Sequence, residues 1–399
     1  MAPSNPPPSL PPTDQTLAPP PPPPPPADSI QASTMAPPQL QLDELVEEVL
    51  LRLPPDDPAS LLSATLVCKR WLRLVSGGRF RRLFRGFHRT PPMLGAIVND
   101  DGFVPAELRR GCMVLDARHG RVLFHNVRRG NQPWDPTLFV WYPITGEQLE
   151  LPRLPRVPDP HKWSSNFAVL CAATGCNHLD CSHGPFLVAV VAVSRDETFA
   201  RVYSSEDGEW SEPTFAPHIN DSLGRTDSLD LMPGAIVGDA LYFLFHTTDA
   251  VLKFDLTTRE MMMIRLPDTA SARPIALITT EDGCFGFAAT KEGTLHIWLR
   301  MAGPNEEAGW AQSKVIELET ILPAAALSLS PIMLGSVGVI FLYTARDGIY
   351  SVDLKSSKAR KMPQRLGVPD YVVPFVSFCT PALGAASTDD EPRASAPNA

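Results

Sequence analysis

Phe254-Asp255-Leu256-Thr257-Thr258-Arg259-Glu260 and Val352-Asp353-Leu354-Lys355-Ser356-Ser357-Lys358 are one pattern written twice. An apolar–acidic–apolar triplet with the alternation of a strand runs into polar residues that favour a tight turn. Tyr203-Ser204-Ser205-Glu206-Asp207-Gly208-Glu209 fits the same frame, Trp141-Tyr142-Pro143-Ile144-Thr145-Gly146-Glu147 fits it loosely, and Gly309-Trp310 is the equivalent after a longer insertion. Positions 209, 260, 309 and 358 fall about fifty residues apart, whereas the step from 147 to 209 is longer. Outward from these turns the period of two persists, as in Leu252/Phe254/Leu256, Leu295/Ile297/Leu299 and Tyr350/Val352/Leu354.

Each unit reads as an apolar strand pair, a turn, an outer strand and a Pro-bearing loop; Leu151-Pro152, Leu266-Pro267 and Met362-Pro363 are such loops. A fifty-residue period with this layout is that of a kelch-like propeller blade. The expected fold of residues 93–380 is therefore an all-β propeller of about six blades. The sixth would be shared between Met93–Val104 and Val372–Cys379, closing the ring and removing exposed edge strands. Thr320–Ala345 carries no charge and is long enough to span a bilayer. Pro331, Gly335 and Gly338 interrupt it, so two buried strands with a turn explain it better.

Residues 41–86 have a different period. Asp43 can cap a helix bearing Leu45, Val46, Val49, Leu50 and Leu53 on one face, which Pro54-Pro55 ends. Asp57-Pro58 opens a second, carrying Leu61, Leu62 and Leu66 and continuing, broken or as two short helices, through Trp71, Leu74 and Val75 to Gly77-Gly78. Arg79–Phe84 adds a last turn. Three short helices in about 45 residues bury too little to be robust alone, which points to a module completed by a partner.

Residues 1–40 are low-complexity, with Pro19–Pro26 unbroken, and read as a disordered extended tail; 381–399 read as a second tail. A net charge of −9 argues against the whole chain being a nucleic-acid or anionic-membrane binder. Seven Cys in 399 residues do not resemble a small disulfide scaffold, and no charged start precedes an apolar run. The expectation is a reducing compartment, cytoplasm and/or nucleus, with the sequon at Asn220-Asp221-Ser222 a chance match.

Leu42–Pro54 with Leu61–Trp71, and above all Val67-Cys68-Lys69-Arg70-Trp71, closely resembles the F-box family, with Asp43 where that family usually has Pro. Gly234–Tyr242 followed by Leu252–Glu260 is similar to a blade of plant F-box proteins with a propeller-like associated domain. The resemblance implies a non-catalytic, cofactor-free substrate receptor. Its F-box would dock on a Skp-type adaptor and through it on a cullin–RING core, and its propeller would hold an unidentified target protein for ubiquitination and proteasomal degradation. Carried over by position, the adaptor contacts are Leu42, Leu45, Val49, Leu50, Leu53, Pro54, Leu61, Leu66, Val67, Cys68, Lys69 and Trp71. For Leu62, Leu66 and Leu74 a role in the module's own core competes with contact.

Other constellations are weaker. Residues 58–99 hold no acid but carry Lys69, Arg70, Arg73, Arg79, Arg81, Arg82, Arg85 and Arg89, so a DNA-binding regulator is the alternative, along with a binding propeller whose helices are incidental. Trp71 and Cys68 sit inside an apolar pattern, which disfavours a base-reading helix. Cys171, Cys176, His178, Cys181 and His183 lie within thirteen residues and could hold zinc. Their spacing is irregular and no distant second pair closes a site, so the default is a packed loop of reduced thiols and no metal. His119, His125, His246 and His296 read as isolated structural residues, and Met261–Met263 as the edge of a blade. Trp134, Trp163 and Trp298 are candidate exposed loop residues. No nucleophile elbow or phosphate loop is present.

Overall fold

The computed structural model describes residues 38–97, 112–126, 137–155, 163–179, 181–194, 197–217, 228–267, 274–301, 309–327, 332–344, 347–362 and 373–381. The expected tails (apart from residues 38–40 and 381), Trp134, the Asn220 sequon and residues 98–104 of the expected closing strand lie outside them.

Four helices, not three, open the described chain: α1 (Pro38–Leu51), α2 (Pro58–Val67), α3 (Lys69–Ser76) and α4 (Gly78–His88). The first begins at Pro38, so Asp43 lies inside it rather than capping it. Pro58 supplies the first position of α2, where a missing N–H costs nothing. Cys68 is fully extended and breaks α2 from α3; Gly77 separates α3 from α4. What the sequence suggested as one last turn is an 11-residue helix whose Phe80 and Phe84, one turn apart, are both buried. Phe84 meets Phe378 edge-on with centroids 6.3 Å apart, and the buried Arg85 donates to Thr380 Oγ1 at 3.5 Å. Helix α4 is thus docked on the segment that follows the last strand.

The sheets are five blades rather than about six. The first is β2 (Cys112–Arg118), β3 (Arg121–Asn126), β4 (Thr137–Trp141) and β5 (Gln148–Glu150). The second is β6 (Ser164–Cys171), β7 (Phe186–Val193) and β8 (Glu197–Ser204), its outer edge split into β9 (Glu209–Trp210) and β10 (Thr214–Pro217). The third is β11 (Ala235–Val237), β12 (Ala240–Leu244), β13 (Ala250–Asp255) and β14 (Met261–Arg265). The fourth is β15 (Ile275–Thr279), β16 (Phe285–Lys291), β17 (Thr294–Met301) and β18 (Gly309–Glu317), followed by a short helix α5 (Leu318–Ile321). The fifth is β19 (Ile332–Gly335), β20 (Val339–Thr344), β21 (Gly348–Asp353) and β22 (Ala359–Lys361). All pairings in the blades are antiparallel, each strand beside its sequence neighbour except β10, which pairs with β8 as β9 does.

The expected joint element is present, but as a two-stranded ribbon and not as a full blade: β1 (Met93–Ile97) pairs with β23 (Val373–Val376). Ile97, Val373 and Phe375 enter the core of the first blade, next to Val114, Val122 and Phe124.

The repeated turn joins the third and fourth strands of the blades. Tyr142, Asp255 and Asp353 donate their N–H to the carbonyls of Glu147, Glu260 and Lys358 at 2.9–3.0 Å. Gly146, Gly208, Arg259 and Ser357 occupy the same place with φ of +55° to +78°. Asp255 Oδ1 accepts from the amides of Thr257 and Thr258 at 3.0 and 2.9 Å, and Asp353 Oδ1 from that of Ser356 at 2.6 Å. The acidic residue of the motif therefore serves the turn, not a ligand. The uncharged window of Thr320–Ala345 gives α5 and the antiparallel pair β19–β20; no described helix is long and apolar enough to cross a membrane.

Candidate functional site

Two features of the described residues stand out: apolar side chains left exposed on α1 and α2, and a recess at one end of the blades. On α1, Leu45 is 65% and Val49 63% exposed, one helical turn apart. On α2, Leu62 is 47%, Leu66 85% and Val67 63% exposed. Lone exposed apolar residues need no explanation, but successive turns of one short helix laid open to water do. The structure splits the expected adaptor contacts. Leu45, Val49, Pro54, Leu66, Val67, Cys68 and Lys69 are exposed, and Leu53 and Trp71 half-buried. Leu50 and Leu61 are only 2% exposed, buried like Val75, Phe80 and Phe84, so in the free chain they are not open to a partner. Conversely Leu62 and Leu66, for which a core role competed, face solvent. The Leu42 side chain lies outside the described residues.

The basic stretch is partly spoken for. Arg79 pairs with the buried Glu47, Arg360 of the fifth blade pairs with Asp56, and Arg85 is buried. Burial and the neighbouring Arg81 push the Arg85 guanidinium down from its usual range, and Cys181 pulls it up.

The recess has a volume of about 1600 Å³. It is lined by α4 residues such as Arg81 and Arg85 and by the turns between the first two strands of successive blades, among them His119-Gly120 and Gly238-Asp239. Asp116 of β2 is 1% exposed at its wall. Burial raises its carboxyl above the usual range, against the opposing pull of Arg118, whose Nε lies 3.0 Å from Oδ2. The same Oδ2 accepts from Val169 N–H of β6 at 2.9 Å, and Arg118 also reaches the carbonyl of Gly234. This pair ties the inner edges of the first three blades together.

Between β6 and β7 the chain makes the longest inner turn of the described blades, and the Cys/His cluster fills it. Cys171 pairs with Phe186 at the end of the ladder, and Ala172 N–H extends that ladder to the Pro185 carbonyl at 2.9 Å. Folding the loop back this way gathers Cys171, Cys176, His178 and Cys181, whose ligand atoms all lie within 4.8 Å of one another. Burial first, then Cys171 and Cys176, push the Cys181 thiol up to about 12. His183 does not join: its ring stacks on Tyr142 at 5.6 Å and its Nδ1 lies 3.9 Å from Glu147. His119 is not isolated either, with its ring 4.5 Å from that of His178. Burial, then His178 and the nearby arginines, hold it down to about 3, so it is neutral at physiological pH.

Of the other residues singled out in the sequence, Trp298 is a strand residue of β17 stacked flat on Phe287, not a loop residue. Trp163 packs edge-on against Phe199. Met261–Met263 form most of the outer strand β14, with Met262 exposed.

The sequence profile described as "F-box protein AT5G49610-like, beta-propeller" matches residues 113–365, and the F-box domain profile matches residues 43–83. No curated protein compared with the chain matches it. Among solved structures, one described as two prolyl endopeptidases is similar over 62% of this chain and 33% of its own, at 10% identity and a TM-score of 0.34; the chain thus spans about a third of that protein's length. An α-L-arabinofuranosidase of Fusarium graminearum with arabinobiose is similar over 70% of this chain and 87% of its own, at 12% identity and a TM-score of 0.37. A luciferin-regenerating enzyme is similar over 68% and 81%, at 9% and 0.38. At these scores the likeness carries no argument about architecture or chemistry.

Proposed function

Because the chain belongs to the family of F-box protein AT5G49610-like β-propellers, we propose that it is the substrate-recognition subunit of a Skp–cullin–F-box ubiquitin ligase. The helices bind a Skp-type adaptor, the adaptor ties them to the cullin–RING core, and the propeller holds a target protein. The subunit performs no chemistry itself; it raises the effective concentration of target lysines near the charged ubiquitin carrier. It works where that machinery is found, in the cytoplasm and/or nucleus.

The observation that carries this reading is the exposure of Leu62, Leu66 and Val67 on α2. Apolar side chains gain free energy in proportion to the area that a partner removes from water. The test is capture of the full chain by a purified Skp-type adaptor. Leu66→Glu with Val67→Glu should abolish capture and leave the melting transition in place. Capture at wild-type strength by that double variant would remove the proposed contacts, and no capture of the wild type at micromolar concentration would remove the reading.

A further inference from the structure

The cluster in the β6–β7 turn lies outside everything the ligase reading uses. We propose that Cys171, Cys176, His178 and Cys181 bind one structural zinc ion. A tetrahedral zinc with Zn–S of about 2.3 Å and Zn–N of about 2.0 Å needs ligand atoms some 3.5–3.8 Å apart. Here the four ligand atoms lie within 4.8 Å of one another, and Cys181 Sγ stands 3.8 Å from His178 Nδ1. The donors are three sulfurs and one imidazole nitrogen, a set that selects zinc over hard cations. Cys171, Cys176 and Cys181 are in no disulfide, so all three thiols are available as ligands.

The frame around the four is built. Cys171 is fixed by its strand pairing with Phe186. Cys181 is fixed by Arg121, whose Nη2 donates to the carbonyls of Cys181 at 2.6 Å and Gly184 at 2.5 Å. The loop also lies tight on the neighbouring hairpin, since a Cβ on Gly120 would come within 2.9 Å of Ser182 Cβ.

Arg121 supplies a second, independent observation. Its side chain is 0% exposed, its Nε and Nη1 have no hydrogen-bond partner, and among the described residues its charge is met by the Phe186 and Tyr142 rings, 5.2 and 5.9 Å away, and by no carboxylate. A buried cation needs a counter-charge. Three thiolates, a neutral imidazole and one divalent cation sum to −1, and that anionic centre sits on the loop Arg121 grips. Zinc replaces the three thiol protons and is held by bonds to sulfur and nitrogen; nothing is oxidised or reduced.

The experiment uses the full-length, tag-free chain purified under reducing conditions without added metal. Elemental analysis should find about one zinc per chain, and a mercurial that titrates thiols should release it in step. Cys176→Ser and Cys181→Ser should lose the zinc, while His183→Ala, just outside the cluster, should keep it. Should the serine variants fail to fold, cobalt exchange into the wild type decides instead: the intense visible bands of tetrahedral cobalt thiolate are expected. Absence of stoichiometric zinc together with no such bands overturns the site, as does zinc retained in full by folded Cys181→Ser, or peptide mapping that finds two of these cysteines joined in the native chain.

Discussion

Trp210 Nε1 donates to the carbonyl of Pro152 at 2.8 Å, tying the outer edge of the second blade to the loop that leaves the first. Trp310 repeats the arrangement two blades on, donating to the Arg265 carbonyl at 2.8 Å. Each tryptophan also packs on its own blade, Trp210 against Tyr203 and Trp310 against Phe285 and Phe287. Phenylalanine keeps the ring and removes the donor. Trp210→Phe and Trp310→Phe should each cost about 1 kcal/mol, the net worth of an ordinary hydrogen bond, read as a lower urea midpoint at unchanged slope. The sites are far apart in sequence and share no partner, so the double variant should lose the sum.

Arg259 and Ser357 stand at φ +62° and +55° where the equivalent turns carry Gly146 and Gly208. A side chain in the left-handed region costs roughly 1–2 kcal/mol. Arg259→Gly and Ser357→Gly should therefore raise the unfolding midpoint by an amount equivalent to about 1 kcal/mol, less some unfolded-state entropy. Denaturant unfolding that shows either glycine variant less stable than wild type would mean the turn is held by the side chain instead.

Gly335 of β19 lies so close to β15 that a Cβ would stand 1.7 Å from the Leu277 carbonyl oxygen. Backbone cannot yield there as a flexible side chain could. Gly335→Ala should cost at least the upper end of the about 1–3 kcal/mol usual for overpacking, and hydrogen exchange should rise first in the fourth and fifth blades.

Leu61 and Leu66 are five residues apart on one helix and should separate stability from binding. Leu61→Ala, in the core, should lower stability by about 2–5 kcal/mol. Leu66→Ala, exposed, should leave the melting curve within about 0.5 kcal/mol and weaken adaptor capture. Thermal melts beside a binding titration check both.

Asp255 titrates with a defined sign. The Thr258 amide, against the opposing effect of burial and with help from the Thr257 amide, holds its carboxyl below the usual range. A depressed folded-state pKa contributes stability that is complete above the unfolded value of about 3.9 and is lost as pH falls through the lower folded one. Asp255→Asn should accordingly reduce stability at neutral pH and flatten the acid limb below about pH 4, in pH-dependent urea unfolding.

What the sequence disclosed follows the range of the forces involved. The helical character of residues 42–75 and the repeated turns rest on local spacing, so they were readable. Helix α4 was not, because arginines surround Phe80 and Phe84 and its burial is completed by Phe378, almost 300 residues away. Blade number was overcounted because the ribbon that closes the ring has only two strands, and its extent depends on pairing between chain ends. The four metal-type ligands converge through the Cys171–Phe186 closure, which no spacing rule contains. Leu50 and Leu61 look like Leu66 in sequence; only the packing of α3 and α4 tells inside from outside.

Met93 and Val376, partners across the closing ribbon, are about 280 residues apart. A ribosome adding about 5–20 residues per second needs tens of seconds to travel from one to the other. During that interval the leading strand has no mate and the blades behind it form an open arc with two raw edges. The latch can shut only once residues 373–376 have been made, and helix α4 waits on Phe378 just beyond them. Nascent chains should therefore lean on chaperones until that stretch emerges, and a stop codon shortly before residue 373 should leave an aggregating arc in place of a slightly shorter ring.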